Sequence, residues 1–340
     1  MAVAGTAETA LARQLASSDA QVRNRALRKV ERMLCQREPA PLSPKGMRRV
    51  WRALYYTLWF ADTPSAINWT LERLCSWLGL AVDNWLYFEV MWETICRYWI
   101  EIDHLRLDKY YALLNRSLSA ATSLCVDQVD HWRRLTGIVE RVVFEPLVGT
   151  SADLDREAAP AALGMALHVC DKWLELVLCQ APGGLESLTL DTDSTHPVDI
   201  AVQPFLRLYL APMERASATQ QRNRKVLMRR AFERLWEPLV RAPAAVPNQR
   251  DQLVYLSQPE HRQQLAERLF KLASRVEVPP YGRRFMYGCV RRLHTAVITS
   301  AAAATAAAAA AAGPLFNDFD ARIRKPRQRR RRRRQQRRRR

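Results

Sequence analysis

The sequence has little glycine, and it lacks the alternating Val/Ile/Thr runs with Asn-Gly turns that predict strands and hairpins. Only 11 of its 340 residues are glycine. Hydrophobic residues make up 48% of the chain, which is the composition of a globular protein rather than of a disordered one. The sequence therefore predicts an all-α protein with enough apolar residues to build a sizeable core.

Several signatures of function are also missing. The seven cysteines are scattered through apolar helical patterns without a Cys-x-x-Cys pair, which favours a reducing compartment over a disulfide framework. No glycine-rich nucleotide loop, His-Glu-x-x-His site or nucleophile elbow occurs. No apolar run approaches the roughly 20 residues that span a bilayer, and the first residues do not form a secretory signal. We therefore expect no membrane association, cofactor, metal ion or small-molecule substrate.

Basic residues are concentrated at one end of the chain. The net charge is +19, but 14 of the 53 Lys and Arg residues lie within residues 322–340, where there is no acidic residue. The remaining 39 are nearly balanced by 34 acidic residues. The densest run consists of Arg329, Arg330, Arg331, Arg332, Arg333, Arg334, Arg337, Arg338, Arg339 and Arg340. Such a run binds polyanions, so we expect nuclear and nucleolar targeting through an import receptor and non-specific RNA binding.

Apolar residues recur at helical spacing along most of the chain, and each early helix has a start signal. Ser43-Pro44 and Thr63-Pro64 combine a capping side chain with a proline at the first helical position, and Asp83 precedes a third apolar stripe. Further amphipathic segments are residues 132–143, 163–178, 227–239, 265–276 and 285–297. Because the connections are mostly short, we predict an irregular α-solenoid of antiparallel helix pairs, similar to HEAT or armadillo arrays. No repeat of fixed length is visible, so a compact irregular helical domain is the alternative.

Three regions follow from this pattern. Residues 1–298 are predicted to form the helical domain, with longer surface loops near 149–160 and 180–197. Residues 299–314 are an alanine-rich spacer with almost nothing to bury. Residues 315–340 are predicted to be a disordered, arginine-rich tail.

Tryptophans and arginines on the helices raise the question of RNA contact. Six of the ten tryptophans fall on apolar stripes: Trp51, Trp59, Trp92, Trp99, Trp132 and Trp236. We predict that these rings are buried in the core, and stacking on RNA bases is the alternative. One basic cluster consists of Arg222, Arg224, Lys225, Arg229 and Arg230. It is a candidate RNA contact, against the alternative of an ordinary solvated face.

Three acidic residues lie close together in one segment. They could be catalytic, or they could cap helices. Carboxylates at the spacing of Glu101, Asp103 and Asp108 can hold Mg²⁺ for cleavage of RNA. In the competing interpretation Asp103 ends one helix, Asp108 caps the next, and Arg106 or Lys109 pairs with them. We favour capping because the chain has no second acidic motif of the kind that a two-metal nuclease needs.

His168 shares a helical segment with Cys170 and Asp171. These three residue types can ligate a metal ion, but no second pair of ligands is in sight. We therefore predict that they form the polar edge of a helix.

Three segments resemble a known family. Residues 45–62 contain Trp-x-x-Leu-Tyr-Tyr-x-x-Trp-x-x-Asp, residues 91–114 contain Ile-Asp-His-Leu-Arg-Leu-Asp-Lys, and residues 164–176 read GMALHVCDKWLEL. The motif residues are Trp51, Tyr56, Trp59, Asp62, Trp92, Trp99, Asp103, Arg106, Leu107, Asp108, Lys109, His168 and Asp171. Through them the chain resembles the ribosomal RNA processing protein 1 family over roughly residues 10–295. Tyr98, Glu101 and His104 depart from the family pattern.

The resemblance implies a nucleolar protein that matures precursor ribosomal RNA. It also implies a non-catalytic scaffold in assembly of the large (60S) ribosomal subunit, bound to pre-ribosomal particles through their RNA and assembly proteins. The motif residues would then serve structure or partner binding. The alternative functions are a metal-dependent RNA nuclease and a general nuclear solenoid adaptor.

Overall fold

The computed structural model describes residues 10–35, 42–126, 128–148, 159–183, 187–191, 193–211, 217–240 and 259–294. Over these residues all regular secondary structure is helical, which confirms the predicted all-α class. None of the described helices is long and apolar enough to cross a membrane. The alanine-rich spacer and the arginine-rich tail lie outside the described residues, as does most of the predicted loop at 149–160.

The helices are numbered in chain order. The first group is α1 (residues 10–15), α2 (Ala20–Cys35), α3 (Pro44–Trp59), α4 (Pro64–Leu80), α5 (Asn84–Tyr98) and α6 (Leu107–Ser123). The second group is α7 (Val129–Val139), α8 (Glu145–Val148), α9 (Ala159–Leu176), α10 (Pro197–Leu210), α11 (Ala218–Ala231), α12 (Glu237–Val240), α13 (Pro259–Ala273) and α14 (residues 280–294). Short 3₁₀ turns at Trp99–Glu101 and Leu178–Gln180 follow α5 and α9.

The predicted start signals of the early helices are confirmed, with one exception. The side chains of Ser43, Thr63 and Asp83 each accept a backbone hydrogen bond from the first turn of α3, α4 and α5. The prediction that Asp108 caps α6 is wrong, because Arg106 occupies the cap position and Asp108 lies inside the first turn. There its carboxylate still faces the positive end of the helix dipole.

The large aromatic rings fill the core. The side chains of Trp51, Trp92, Trp132 and Trp236 are fully buried. Trp99 is 9% exposed, and Trp59 is half-buried against the core. The prediction that these stripes face inward is therefore confirmed, and the rings do not form an exposed platform for bases.

Helix pairs separated by one helix along the chain make extensive contacts. α3 lies against α5, α4 against α6, and α9 against α11, while α7 packs against α10. Neighbouring helices, such as α4 and α5, also touch. Layered packing of this kind is compatible with stacked helix pairs, but an α-solenoid remains a prediction.

α7 and α11 end in the same way. Each continues through a π-helical turn, Glu140–Phe144 or Phe232–Trp236, into the sequence Glu-Pro-Leu-Val. A proline inside a helix removes one backbone donor and crowds the preceding turn, so the wider π turn accommodates it. The Cys96 thiol donates to the carbonyl of Val142, four residues before Pro146, at 3.7 Å.

Part of the predicted loop near 180–197 is anchored in the core. Leu188 and Leu190 are buried, and Leu190 has a φ of +58°. The fully buried carboxylate of Asp199 accepts from the backbone N–H groups of Thr189 and Leu190, both at 2.7 Å. The Thr189 hydroxyl donates to the same carboxylate at 2.6 Å. The described part of this connection is therefore anchored to α10 rather than lying loosely on the surface.

Candidate interaction site

The first two motif segments meet at the end of α3. Lys109, at the start of α6, is buried, and its Nζ donates to the carbonyl oxygens of Trp59 at 2.7 Å and Ala61 at 2.9 Å. The carboxylate of Asp62 lies 3.9 Å from the same atom. Burial lowers the pKa of Lys109, and the charge of Asp62 partly opposes that effect. The ammonium group therefore caps α3 and ties α6 to it.

Arg106 also contacts the end of α3. Its guanidinium lies over the ring of Trp59, with Cζ 4.7 Å from the ring centroid. It also forms an ion pair with Asp103, whose carboxylate accepts the backbone N–H of Arg106 at 3.0 Å. The predicted pairing of Arg106 with Asp103 is thus confirmed, whereas the carboxylate near Lys109 is that of Asp62.

The second and third segments meet through a series of ring contacts. The centroid of Trp99 lies 5.4 Å from that of Tyr111, which stacks on His168 at 4.2 Å. His168 Nε2 is 2.8 Å from the side-chain oxygen of Asn115. Burial lowers the pKa of His168 to about 4, so the ring is neutral at physiological pH. In the described structure His168 holds α9 against α6.

Asp171 connects the third segment to α11. Its carboxylate accepts from Nε and Nη2 of Arg230, both at 2.7 Å, and forms an ion pair with Arg234, whose Nε lies 3.1 Å away. The hydrogen bond to Asp171 raises the pKa of the Arg230 guanidinium. Arg230 therefore serves this bridge in the described structure, although it was predicted as part of an RNA contact.

Arg224, a second member of the predicted RNA contact on α11, also serves the fold. Arg224 is fully buried, and its guanidinium donates to the carbonyls of Leu208 and Ala211 and to the hydroxyl of Tyr281. The prediction that Arg224 belongs to an exposed basic face is wrong, because its charge is used to close the end of α10. Burial lowers the pKa of Arg224.

Three members of the cluster remain exposed. Arg222, Lys225 and Arg229 are spaced by three and four residues, so they lie on one face of α11. α11 contains no acidic residue, and Glu233 in the following turn pairs with Arg229 at 3.0 Å. We call these three residues the α11 basic stripe. It can contact phosphate groups without disturbing the core.

The acidic residues of the nuclease alternative are not gathered around a common point. Asp103 is held by Arg106, while Glu101 and Asp108 are exposed. In the part of the chain that the structure describes, no group of three or more His, Cys, Asp or Glu residues could hold a metal ion.

Some contributors to this network were not predicted from sequence. Tyr111 and Asn115 contact His168, and Arg234 supplies the second arginine at Asp171. One signal for the first two was available, because residues four apart on α6 share a face. Arg234 likewise lies four residues after Arg230, which indicated that the two side chains share a face. Their common partner, Asp171 on α9, could be identified only from the folded chain.

Comparison with known proteins gives a consistent family assignment. A family model described as "Nucleolar protein, Nop52" matches residues 6–273. The human ribosomal RNA processing protein 1 homolog A is 28% identical over 207 residues, which cover 59% of this chain and 41% of that protein. The human homolog B is 33% identical over 114 residues, or 32% and 15% of the two chains. A Drosophila melanogaster homolog is 24% identical over 226 residues, or 65% and 30%. The matched regions span less than half of each relative.

Proposed function

Since the chain belongs to the Nop52 family of nucleolar proteins, we propose that it acts in the nucleolus in the processing of ribosomal RNA. The observation that carries this proposal is the match of the family model over most of the helical region. The relatives named ribosomal RNA processing protein 1 support the same role. The chain then serves in biogenesis of the ribosome.

More specifically, we propose that the protein is a non-catalytic scaffold in assembly of the large (60S) subunit and associates with pre-ribosomal particles. The motif residues of the three segments support this role because Lys109, His168 and Asp171 are all used to join helices. The helices would stack as a solenoid whose outer surfaces bind RNA and assembly proteins. No reaction is assigned to the chain.

RNA contact is divided between the body and the tail in this proposal. The α11 basic stripe contacts phosphate groups of precursor RNA, and the arginine-rich tail binds an import receptor and adds loose RNA affinity. If all 14 basic residues of the tail engaged single-stranded RNA, log affinity would fall with log salt at a slope of about −10. Binding by the tail would be insensitive to sequence.

The proposal is tested by sedimentation of the tagged protein from cells in a sucrose gradient. We expect co-sedimentation with large-subunit precursors. Changing Arg222, Lys225 and Arg229 to glutamine should shift the protein toward lighter fractions. A protein that never migrates with precursors would contradict the proposed function.

A matched control is available on α2. Arg25, Arg28 and Arg32 are exposed and have the same spacing of three and four residues. Changing these three to glutamine removes the same charge from another face, so sedimentation should stay near that of the wild type. Equal shifts in both variants would mean that total charge, not the α11 basic stripe, controls the association.

A further inference from the structure

The turn between α5 and α6 presents two aliphatic side chains to solvent. Ile100 is 72% exposed and Leu105 is 80% exposed. Phe60, at the end of α3, is 39% exposed and follows Trp59, the ring on which Arg106 stacks. Single exposed apolar residues are ordinary, but several at one corner are typical of an interaction site. We call Phe60, Ile100 and Leu105 the α5–α6 corner.

The corner is fixed in position by the structure beneath it. Backbone N–H groups of Ile102, Arg106 and Lys109 donate to carbonyls within the turn at 3.1–3.3 Å. The buried ammonium of Lys109 then anchors the turn to α3. A partner that covers Ile100 and Leu105 would therefore meet side chains on an ordered backbone, which lowers the entropic cost of association.

The exposed charges at this corner are mainly negative. Asp62, Glu101 and Asp108 are exposed, and each lies within the corner or beside it in the chain. Among the nearby cations, Arg106 is paired with Asp103, and the buried ammonium of Lys109 lies 3.9 Å from Asp62. Arg97, in the last turn of α5, is exposed, so the exposed acidic side chains outnumber the exposed basic one by three to one. Phosphate groups of RNA would be repelled here, whereas Lys and Arg side chains would be attracted.

From this combination we propose that the α5–α6 corner binds a basic segment of a partner protein. Apolar side chains of that segment pack on Ile100 and Leu105, and its Lys and Arg residues pair with Asp62, Glu101 and Asp108. The corner is separate from the α11 basic stripe and does not depend on RNA contact. The protein thereby offers surfaces of opposite charge to protein and to RNA.

The test uses the full-length chain and a fluorescently labelled amphipathic peptide with leucine on one helical face and lysine and arginine on the other. Fluorescence anisotropy measures its affinity. The double variant Ile100→Ser/Leu105→Ser should bind the peptide about tenfold more weakly or worse, since two buried aliphatic contacts are lost. A peptide with glutamate in place of the basic residues should bind far more weakly than the basic one. The variant Glu101→Gln/Asp108→Asn should weaken binding and flatten its dependence on salt. Asp62 is left unchanged in this variant, because its carboxylate lies 3.9 Å from the buried ammonium of Lys109.

A control substitution distinguishes binding at the α5–α6 corner from non-specific binding of the peptide to any exposed apolar side chain. Val276 is 87% exposed and lies between α13 and α14. Val276→Ser should leave peptide affinity unchanged. Circular dichroism of each variant should match the wild type, because all the altered side chains are exposed.

Three outcomes would overturn the proposal. The first is equal peptide affinity in the wild type and in Ile100→Ser/Leu105→Ser. The second is ultraviolet crosslinking of a labelled single-stranded RNA to a photoreactive residue at position 105, which would make RNA the occupant. The third is tighter peptide binding when the tail arginines are changed to glutamine, because the tail of this chain would then already occupy the corner.

Discussion

The buried ammonium group of Lys109 lies 2.7 Å from the carbonyl oxygen of Trp59, at the end of a different helix. The last carbonyl groups of an α-helix have no partner within the helix, and a cation placed there also meets the negative end of the helix dipole. This contact joins the first and second motif segments in the folded chain. It also means that Lys109 is unavailable to RNA.

Replacing Lys109 with methionine should therefore destabilise the fold. The variant keeps the apolar stem but leaves the carbonyls of Trp59 and Ala61 without their donor, at a cost of about 2–4 kcal/mol. Urea denaturation followed by circular dichroism measures the change. Lys172→Met is the control, because Lys172 forms a surface ion pair with exposed Glu175 and its replacement should cost less than about 1 kcal/mol. Equal costs in the two variants would contradict the capping role of Lys109.

Arg224 and Lys225 are sequence neighbours with opposite predicted effects. Arg224→Met removes hydrogen bonds to Leu208, Ala211 and Tyr281 and should cost about 3 kcal/mol or more of stability. Lys225→Met should leave stability unchanged and weaken RNA binding instead, since this side chain is exposed. Urea denaturation and a filter-binding assay with single-stranded RNA measure the two effects. The assignment of α11 fails if Lys225→Met unfolds the protein or leaves RNA affinity intact in a chain whose tail arginines are glutamine.

Gly164 and Trp99 form a pair that a double-mutant cycle can test. A Cβ atom at Gly164 would lie 2.5 Å from Nε1 of Trp99. Gly164→Ala should therefore cost about 1–3 kcal/mol in the wild type. Trp99→Ala alone should cost about 3–5 kcal/mol by leaving a cavity.

In the Trp99→Ala background the clash is gone, so Gly164→Ala should be neutral or stabilising by up to about 1 kcal/mol through helix propensity. Thermal denaturation of the four chains measures the coupling. Additive effects would show that the indole does not pack on α9 as described. A near-zero cost of Trp99→Ala would place this ring on the surface.

His168 gives a prediction about pH. Its pKa is lowered by burial to about 4, from an ordinary value of 6.5. Between these two values the unfolded chain binds a proton that the folded chain does not, so the free energy of unfolding should fall as pH drops from 6.5 towards 4. In His168→Gln this contribution is absent. Urea midpoints measured across that pH range should fall more steeply for the wild type than for the variant, and parallel curves would contradict the burial of a neutral ring.

Local sequence signals were sufficient to predict much of the fold. Ser43, Thr63 and Asp83 cap their helices because the capping side chain and the first turn are adjacent in sequence. The tryptophan stripes were predicted for the same reason, since helical spacing alone determines which side chains share a face. The likeness to the ribosomal RNA processing protein 1 family is confirmed by the family model and the named relatives.

The errors concern residues whose neighbours come from distant parts of the chain. Nothing next to Arg224 in the sequence indicates that it closes α10 and meets Tyr281 on α14. Likewise, the anchoring of residues 188–190 depends on the carboxylate of Asp199, which resembles an ordinary first-turn acid until the chain is folded. The exposure of Ile100 and Leu105 could not be predicted from the sequence, because most apolar residues around them are buried in the core.

RNA crosslinking in cells can show whether the helical body selects precursor ribosomal RNA. The full-length chain is compared with one in which the tail arginines are glutamine and nuclear import is restored by a neutral signal. We expect crosslinks at defined sites in large-subunit precursor RNA that persist without the charged tail and are lost when Arg222, Lys225 and Arg229 are glutamine. If the crosslinks instead scatter or vanish when the tail charge is removed, while the α11 variant behaves as the wild type, the tail and not the helical body selects the RNA.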